Sequence, residues 1–357
     1  MNAISLFSGA GIGEFYLSDI GINVVLANEI VKRRAETHHL LYPSCEMINA
    51  DITNETVQQR IIEDGKRLGV NLVIATPPCQ GLSSAGSNKT PDALYHDPRN
   101  FLILSALTIV DAISPSYFVV ENVPRFQMML FPYEGKLCSL AELLSKRYGA
   151  EYNIAVNVLN AADYGVPQTR LRVVYRMWKK GLSWELPAVE KPITLQEAIG
   201  DLPSLEPGES SSIPNHYARP HAANHIECMR YTPTGKSAFQ NEVHFPKKPD
   251  GNRIVGYPNC YKRMRWDAPA PTITMRNEII SSQENVHPGR PLGNGMWSDA
   301  RILTLRELLI VSSLPPEMPC PSNLSETAFR QLIGEGIPPT MFAKILKGIG
   351  VDRDGAH

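Results

Sequence analysis

The chain of 357 residues has no apolar run near the roughly eighteen residues a membrane helix requires. Its first residues, MNAISLFSGAG, lack a basic segment leading into a long apolar one. A protein without a membrane partner, working in the cytoplasm, is the expectation. Cysteine is sparse and scattered, at 45, 79, 138, 228, 260 and 320, with no CxxC pair. That spacing speaks against a structural zinc site or a disulfide framework and for a reducing compartment; no metal site is expected. A strong net charge is also missing: the formal value is −1, so overall charge announces no nucleic-acid partner. The balance is nonetheless uneven, because residues 210–306 carry 13 Lys and Arg against 7 Asp and Glu. From charge alone, that excess is either a solvated basic face or a phosphate-binding one.

Proline, by contrast, is plentiful, at 29 residues, and crowds into 187–271 with Pro-Gly, Pro-Asn and Pro-Asp pairs and weak periodicity. This texture predicts a loop-rich module distinct from the βα units before it. The stretch around which the rest is organised is NLVIATPPCQGLSSAG, residues 71–86. Leu72–Ala75 reads as a short strand buried on both faces, which Pro77 and Pro78 terminate, leaving Cys79 just past its carboxyl end. In open α/β sheets ligands collect at that edge. An arbitrary cysteine is most often an inert core thiol, but this position suits attack on a substrate, which needs a proton-transfer partner nearby.

Companions lie at other strand ends. Ala3–Phe7 is a strand candidate followed by Ser8-Gly9-Ala10-Gly11-Ile12-Gly13, with Glu14–Leu17 opening a helix. Strand, glycine turn and helix begin a nucleotide-binding unit, yet Glu14 stands where a dinucleotide fingerprint places its third glycine and would repel a pyrophosphate. A cationic cofactor such as S-adenosylmethionine meets no such objection. Ile22–Ala27 ends in Asn28-Glu29, at the distance where an acid receives ribose hydroxyls. Cys45–Ala50 ends in Asp51, an acceptor for an adenine amino group or a plain loop carboxylate. Ser116–Val120 ends in Glu121-Asn122-Val123; if its strand neighbours that of Cys79, Glu121 can exchange a proton with a bound base there. Arg170 and Arg172 alternate with Leu171, so in a strand both guanidinium groups face one way, suiting a carbonyl oxygen or phosphate, or forming a structural salt bridge. Helical patterning is also read in 101–113, 141–148, 304–311 and 341–348.

In order, Phe7–Gly11, Asn28-Glu29, Asp51-Ile52, Pro78-Cys79-Gln80, Glu121–Val123, Gln168–Arg172, Arg265–Thr274, Arg301–Glu307 and Gly334–Pro338 resemble the blocks of the cytosine-5 DNA methyltransferases of bacterial restriction-modification type, from one end of the chain to the other. The resemblance implies a Rossmann-like α/β domain with a mostly parallel sheet plus a smaller loop-rich DNA-recognition domain, divided as 1–188, 189–300 and a returning segment 301–357. It implies S-adenosylmethionine held by Phe7, Gly9, Ala10, Gly11, Glu29, Ile30, Asp51, Ile52, Pro78, Leu102, Glu335 and Gly336. Catalysis falls to Cys79, Glu121, Arg170 and Arg172, and DNA contact to Gln80, Ser83, Arg99, Lys236 and Arg265. Expected partners are double-stranded DNA and a cognate restriction endonuclease, with the enzyme a monomer. Three departures stand out: Ser5 where the family often has Asp, Ile12 in place of a glycine, and Gly334-Glu335-Gly336-Ile337 where Gly-Asn-Ser-Val is usual. Rival readings are the same chemistry on tRNA and a DNA-binding protein without activity.

Overall fold

The computed structural model describes residues 1–78 and 96–350. Its regular elements begin with β1 (Asn2–Leu6), β2 (Asn23–Asn28), α1 (Lys32–Leu41), β3 (Glu46–Ile48), α2 (Glu55–Arg67) and β4 (Val70–Ala75). They continue with α3 (Ile103–Ile113), β5 (Tyr117–Asn122), a hairpin of β6 (Leu130–Tyr133) and β7 (Lys136–Ser139), α4 (Leu140–Tyr148), β8 (Tyr152–Asn160) and β9 (Leu171–Lys179). The strands form a seven-stranded sheet in the order β3-β2-β1-β4-β5-β9-β8. The first five are parallel, and β9 alone is reversed, running antiparallel to both β5 and β8 at one end. This is the expected α/β fold with a mostly parallel sheet. Ile4, Leu6, Val73, Ala75, Phe118 and Val120 are fully buried, as strands covered on both faces require. The strand order switches direction between β1 and β4, and a switch point is where such sheets open a crevice at their carboxyl ends.

One local reading changes. No helix starts at Glu14: two short 3-10 turns, Ile12–Glu14 and Ser18–Ile20, lead to β2 instead. Gly11 (φ 75°) and Gly21 (φ 77°) break the segment at both ends, and Glu14 is pulled inward rather than left on a helix surface. The β6–β7 hairpin has no strong alternation to announce it. It closes on Glu134-Gly135, both at positive φ, the signature of a tight two-residue turn.

The chain divides into two compact units: residues 1–160, 171–188 and 342–357 form one, and 161–170 with 189–341 form the other. The ten residues 161–170 group with the second unit, and the first resumes at Phe342. Within the first unit the C-terminal segment is fastened by the Trp184 Nε1–H to the Ile345 carbonyl (2.8 Å) and by the Tyr117 hydroxyl to the Gly350 carbonyl (2.8 Å).

The second unit has few regular elements: α5 (Leu195–Ile199), α6 (Ala223–Arg230), the short ribbon β10 (Pro291–Gly293) and β11 (Met296–Trp297), α7 (Leu305–Val311), α8 (Glu326–Glu335) and the start of α9 (Pro339–Lys347). Loops packed inward must find partners for their carbonyls, and buried arginines supply them. Arg263, 1% exposed, donates to the carbonyls of Met229, His287, Ser298 and Asp299. Arg301, fully buried, bridges Asp299 and Glu307. Part of the basic excess seen in the sequence is therefore spent on holding loops together.

Candidate active site

The first half of the site grows from β1. Past Leu6 the chain takes three positive-φ residues, Phe7 (59°), Gly9 (58°) and Gly11 (75°). A Cβ on Gly9 would meet no heavy atom within 4 Å, whereas one on Gly11 would lie 2.4 Å from the Tyr42 ring. The turn is thus open at Gly9 and braced from beneath at Gly11. Bracing comes from a buried polar group: Tyr42 donates to the Gly11 carbonyl (2.7 Å), Ser5 Oγ donates to Glu14 Oε1 (2.5 Å), and His38 Nε2 lies 2.9 Å from Glu14 Oε2. Ser5, one of the three departures, therefore has a job as Glu14's partner. Gly11→Ala is expected to cost about 1–3 kcal/mol in folding, from left-handed strain and the Tyr42 overlap. Urea unfolding checks it.

Glu29, 5% exposed, follows β2 and links the turn to the next strand. Its Oε2 accepts the Gly9 N–H (3.0 Å) and its Oε1 the Val31 N–H (2.7 Å), with Arg34 at 3.9 Å. Asp51 is exposed, its Oδ1 fixed by the Thr53 N–H and hydroxyl at 2.9 and 2.8 Å. Ile30 is 61% exposed and Ile52 only 3%. Ile30 is therefore free to cover a ligand, while Ile52 belongs to the core. A glycine turn open at Gly9 and flanked by two acids fits a cofactor bearing hydroxyls and positive charge, and does not fit a pyrophosphate.

The second half lies one and two strands away. β4 pairs with β5, Ala75 opposite Val120, so the two strands are neighbours as the sequence reading required. Glu121 sits inside β5, 8% exposed, and its Oε1 is 2.7 Å from Arg172 Nε. Val174 is the residue opposite Glu121 on β9; Arg172, two positions on, shares that face and spans the diagonal. The guanidinium also donates to the Leu171 carbonyl (2.7 Å). Asn122, which sequence reasoning passed over, donates from Nδ2 to the Pro77 carbonyl (3.0 Å) and accepts the Val123 N–H (2.8 Å). It ties the end of β5 to the Pro77-Pro78 turn. Its presence in the Glu121–Val123 block was the available signal. Cys79, Gln80 and Ser83 lie outside the described residues. Of the other cysteines, Cys45 is pushed up to about 12 by burial first and then by Glu14 and Glu46. Burial also raises Cys228, Cys260 and Cys320, which leaves these four poorly suited as nucleophiles.

Arg170 departs from the expectation. β9 starts at Leu171, so the alternation that was to align Arg170 with Arg172 does not reach it. Arg170 is 3% exposed and donates to the carbonyls of Ile273 (2.7 Å), Gly334 (3.1 Å) and Glu335 (3.2 Å). In that place it caps the C-terminal end of α8 within the second unit. Glu335 and Gly336 stand at this same helix end, in the second unit. Pro78 and Leu102 are half-buried in the first. Arg99 and Arg265 are exposed but each is paired through two bonds, to Asp97 and Asp267, which leaves less charge for phosphate. Lys236 is exposed.

These features define a class: an α/β domain with a glycine turn after β1 and a buried Glu121–Arg172 pair across β5 and β9. The model of the C-5 cytosine-specific DNA methylase family matches residues 1–351, and the chain belongs to that family; it is a DNA cytosine-5 methyltransferase, an enzyme that draws on a methyl donor. The chain is 43% identical over 346 residues to the type II methyltransferase M1.HgaI of Avibacterium volantium, covering 97% of each. It is 30% identical to the type II methyltransferase M1.HphI of Haemophilus parahaemolyticus, over 97% of this chain and 86% of the relative. The expected restriction-modification type agrees with these relatives. A solved E. coli structure, described as a prophage-encoded DNA modification methyltransferase, shares the fold with a TM-score of 0.67 at 20% identity, covering 98% of each chain. Among the described residues no helix is long and apolar enough to cross a membrane.

Proposed function

We propose that this enzyme methylates carbon 5 of a cytosine swung out of duplex DNA, through a transient bond between Cys79 and carbon 6. The observation that carries the reading is the Glu121–Arg172 pair at the end of β5, tied by Asn122 to the turn that leads into Cys79. Carbon 5 of cytosine is a weak nucleophile. Addition of the Cys79 thiolate to carbon 6 pushes electrons toward carbon 5, and the ring must leave the stack to be reached face-on. Glu121 serves ring nitrogen 3, holding or giving a proton as charge builds on the ring, while Arg172 orients the Glu121 carboxylate and faces the carbonyl oxygen. Once carbon 5 bears the methyl group, its proton passes to water, the electron pair of that C–H bond expels Cys79 as thiolate, and the aromatic ring is restored. S-adenosylmethionine, held by Phe7, Gly9, Gly11, Glu29, Ile30 and Asp51, supplies the electrophilic methyl group. The amide of Gly9 and the carboxylate of Glu29 keep that turn in one shape. Arg170 has no part in this scheme. A matching restriction endonuclease is the natural partner, and the protein acts as a monomer.

The test is incorporation of labelled methyl from S-adenosylmethionine into duplex DNA, set against tRNA transcripts. Incorporation into DNA alone is expected; incorporation into tRNA alone would sink the reading. Glu121→Gln should reduce the DNA rate by about 10²–10⁴-fold, the range for a lost acid–base group, with substrate binding preserved.

A further inference from the structure

The second unit carries a short hairpin that is firmly built yet almost wholly outside the fold. Its arms are joined by the Ile254 N–H to the Pro246 carbonyl (2.9 Å) and the Lys248 N–H to the Asn252 carbonyl (2.8 Å), and the turn closes with the Gly251 N–H on the Lys248 carbonyl (2.9 Å). Asp250 is used up inside the turn, accepting from the Asn252 amide and side chain at 2.9 and 3.1 Å. Gly251 takes φ 83°, which a side chain would resist. At the base, Arg253 lies 3.6 Å over the Phe245 ring and donates to the carbonyls of Phe239 and Asn241, both at 2.9 Å. These contacts fix the hairpin without burying its tip: Lys247 to Arg253 are all exposed.

What the hairpin presents is unusual for a free surface. Of the four lysines between 210 and 306, Lys262 is paired with Glu284. Lys236, Lys247 and Lys248 make no ion pair among the described residues, and two of these three stand side by side on the hairpin. Beside them, Val243, Val255 and Tyr257 are 68%, 94% and 67% exposed. A cationic tip with apolar side chains at its base suits a partner offering negative charge and methyl groups together. The DNA major groove does so, with phosphates along its walls and thymine methyls and guanine acceptors on its floor, and it admits a two-stranded ribbon. Order held before binding lowers the cost of docking.

Resting on the DNA methyltransferase reading, we propose that the hairpin Phe245–Val255 is the ribbon by which this enzyme reads its target in the major groove, with Lys247 and Lys248 on phosphates and base edges and Val255 against a base methyl. The experiment uses the full chain and two variants, Lys247→Ala/Lys248→Ala and Val255→Ser, each first checked for an unchanged melting temperature. Unmethylated genomic DNA is treated with protein and S-adenosylmethionine, and bisulfite sequencing gives the methylated motif. Duplex affinity is followed by fluorescence anisotropy from 50 to 300 mM salt, on DNA bearing that motif. The double lysine variant should lose about tenfold or more in affinity, and the slope of log K against log salt should fall by about two. Val255→Ser should relax the motif at one position. Affinity within twofold with the same slope, or an unaltered motif in both variants, overturns the assignment. Should the unaltered enzyme methylate no DNA, it is the parent reading that fails; affinity and slope on mixed-sequence plasmid DNA still decide the hairpin.

Discussion

Alanine at Cys79 is expected to end methyl transfer, with a loss of about 10⁴-fold or more, as for other enzymes deprived of their nucleophile. No other group in the scheme can take its place. The carboxylate of Glu121 and the guanidinium of Arg172 polarise a ring but cannot saturate its 5,6 bond, and without that bond carbon 5 stays unreactive. The thiols of Cys45, Cys228, Cys260 and Cys320 are held in their protonated form by burial. DNA and donor binding should persist in Cys79→Ala, because the glycine turn, Glu29 and the basic residues are untouched. Labelled methyl incorporation measures the loss, and anisotropy and calorimetry measure what is kept. A duplex with 5-fluorocytosine at the target should become covalently attached to the unaltered enzyme in the presence of donor, and not to the alanine variant. If the variant retains more than a few per cent of the rate, the covalent scheme is wrong.

The largest effect on stability is expected from Glu307→Ala. Glu307 is 1% exposed. Arg301 donates to both of its oxygens at 2.7 and 3.0 Å, and the Thr304 N–H donates at 2.7 Å, closing a capping box on α7. Burial by itself would raise this carboxyl; the charges of Arg301 and His287 and these hydrogen bonds bring it down to about 2. Truncation uncaps α7 and leaves the buried Arg301 with one acid instead of two, at a cost of about 3–5 kcal/mol. Urea unfolding would show it, and a cost under about 1 kcal/mol would mean that the network is dispensable.

The same cluster sets the acid limit. Glu307 has a depressed pKa when folded, so its contribution is whole above the unfolded value near ~4.3 and drains as the pH falls through about 2. His287 acts earlier. Burial first, then Arg301, lowers it to about 3, so the unfolded chain takes up this proton more readily than the folded one. Stability therefore starts to fall once the pH drops below ~6.5, by about 2 kcal/mol from His287 alone between pH 7.5 and pH 5. In His287→Gln that part of the pH slope should vanish.

The strand ends were legible because each rule that exposes them is local. Leu72–Ala75 and Ser116–Val120 are too short and too apolar for anything but buried strands, and the residues after them had to emerge at a sheet edge. Adjacency of β4 and β5 was left open by the sequence and is supplied by the sheet, and with it comes the link from the end of β5 to the Pro77-Pro78 turn. Glycines spaced as in Ser8–Gly13 marked a turn, but the sequence could not say that Glu14 would fold inward onto Ser5 and His38 and cancel the helix after it. Period two in a strand put Arg170 and Arg172 on one face and failed at Arg170, because the rule holds only as far as the strand does; that Arg172 meets Glu121 was decided by the pairing of β5 with β9. Ile30 and Ile52 look alike in sequence; one is exposed and the other is packed into the core.

Apolar runs and the spacing of Gly and Pro were enough to determine the α/β class, and the ordered motif blocks pointed by resemblance to the family, since each depends on near neighbours in the chain. Which carbonyls Arg170, Arg263 and Arg301 would satisfy, which cations would be left over, and that Lys247 and Lys248 would stand on a braced hairpin were decided only in three dimensions. Arg170 and Arg263 take their roles from carbonyls tens to hundreds of residues away, and no local pattern encodes them.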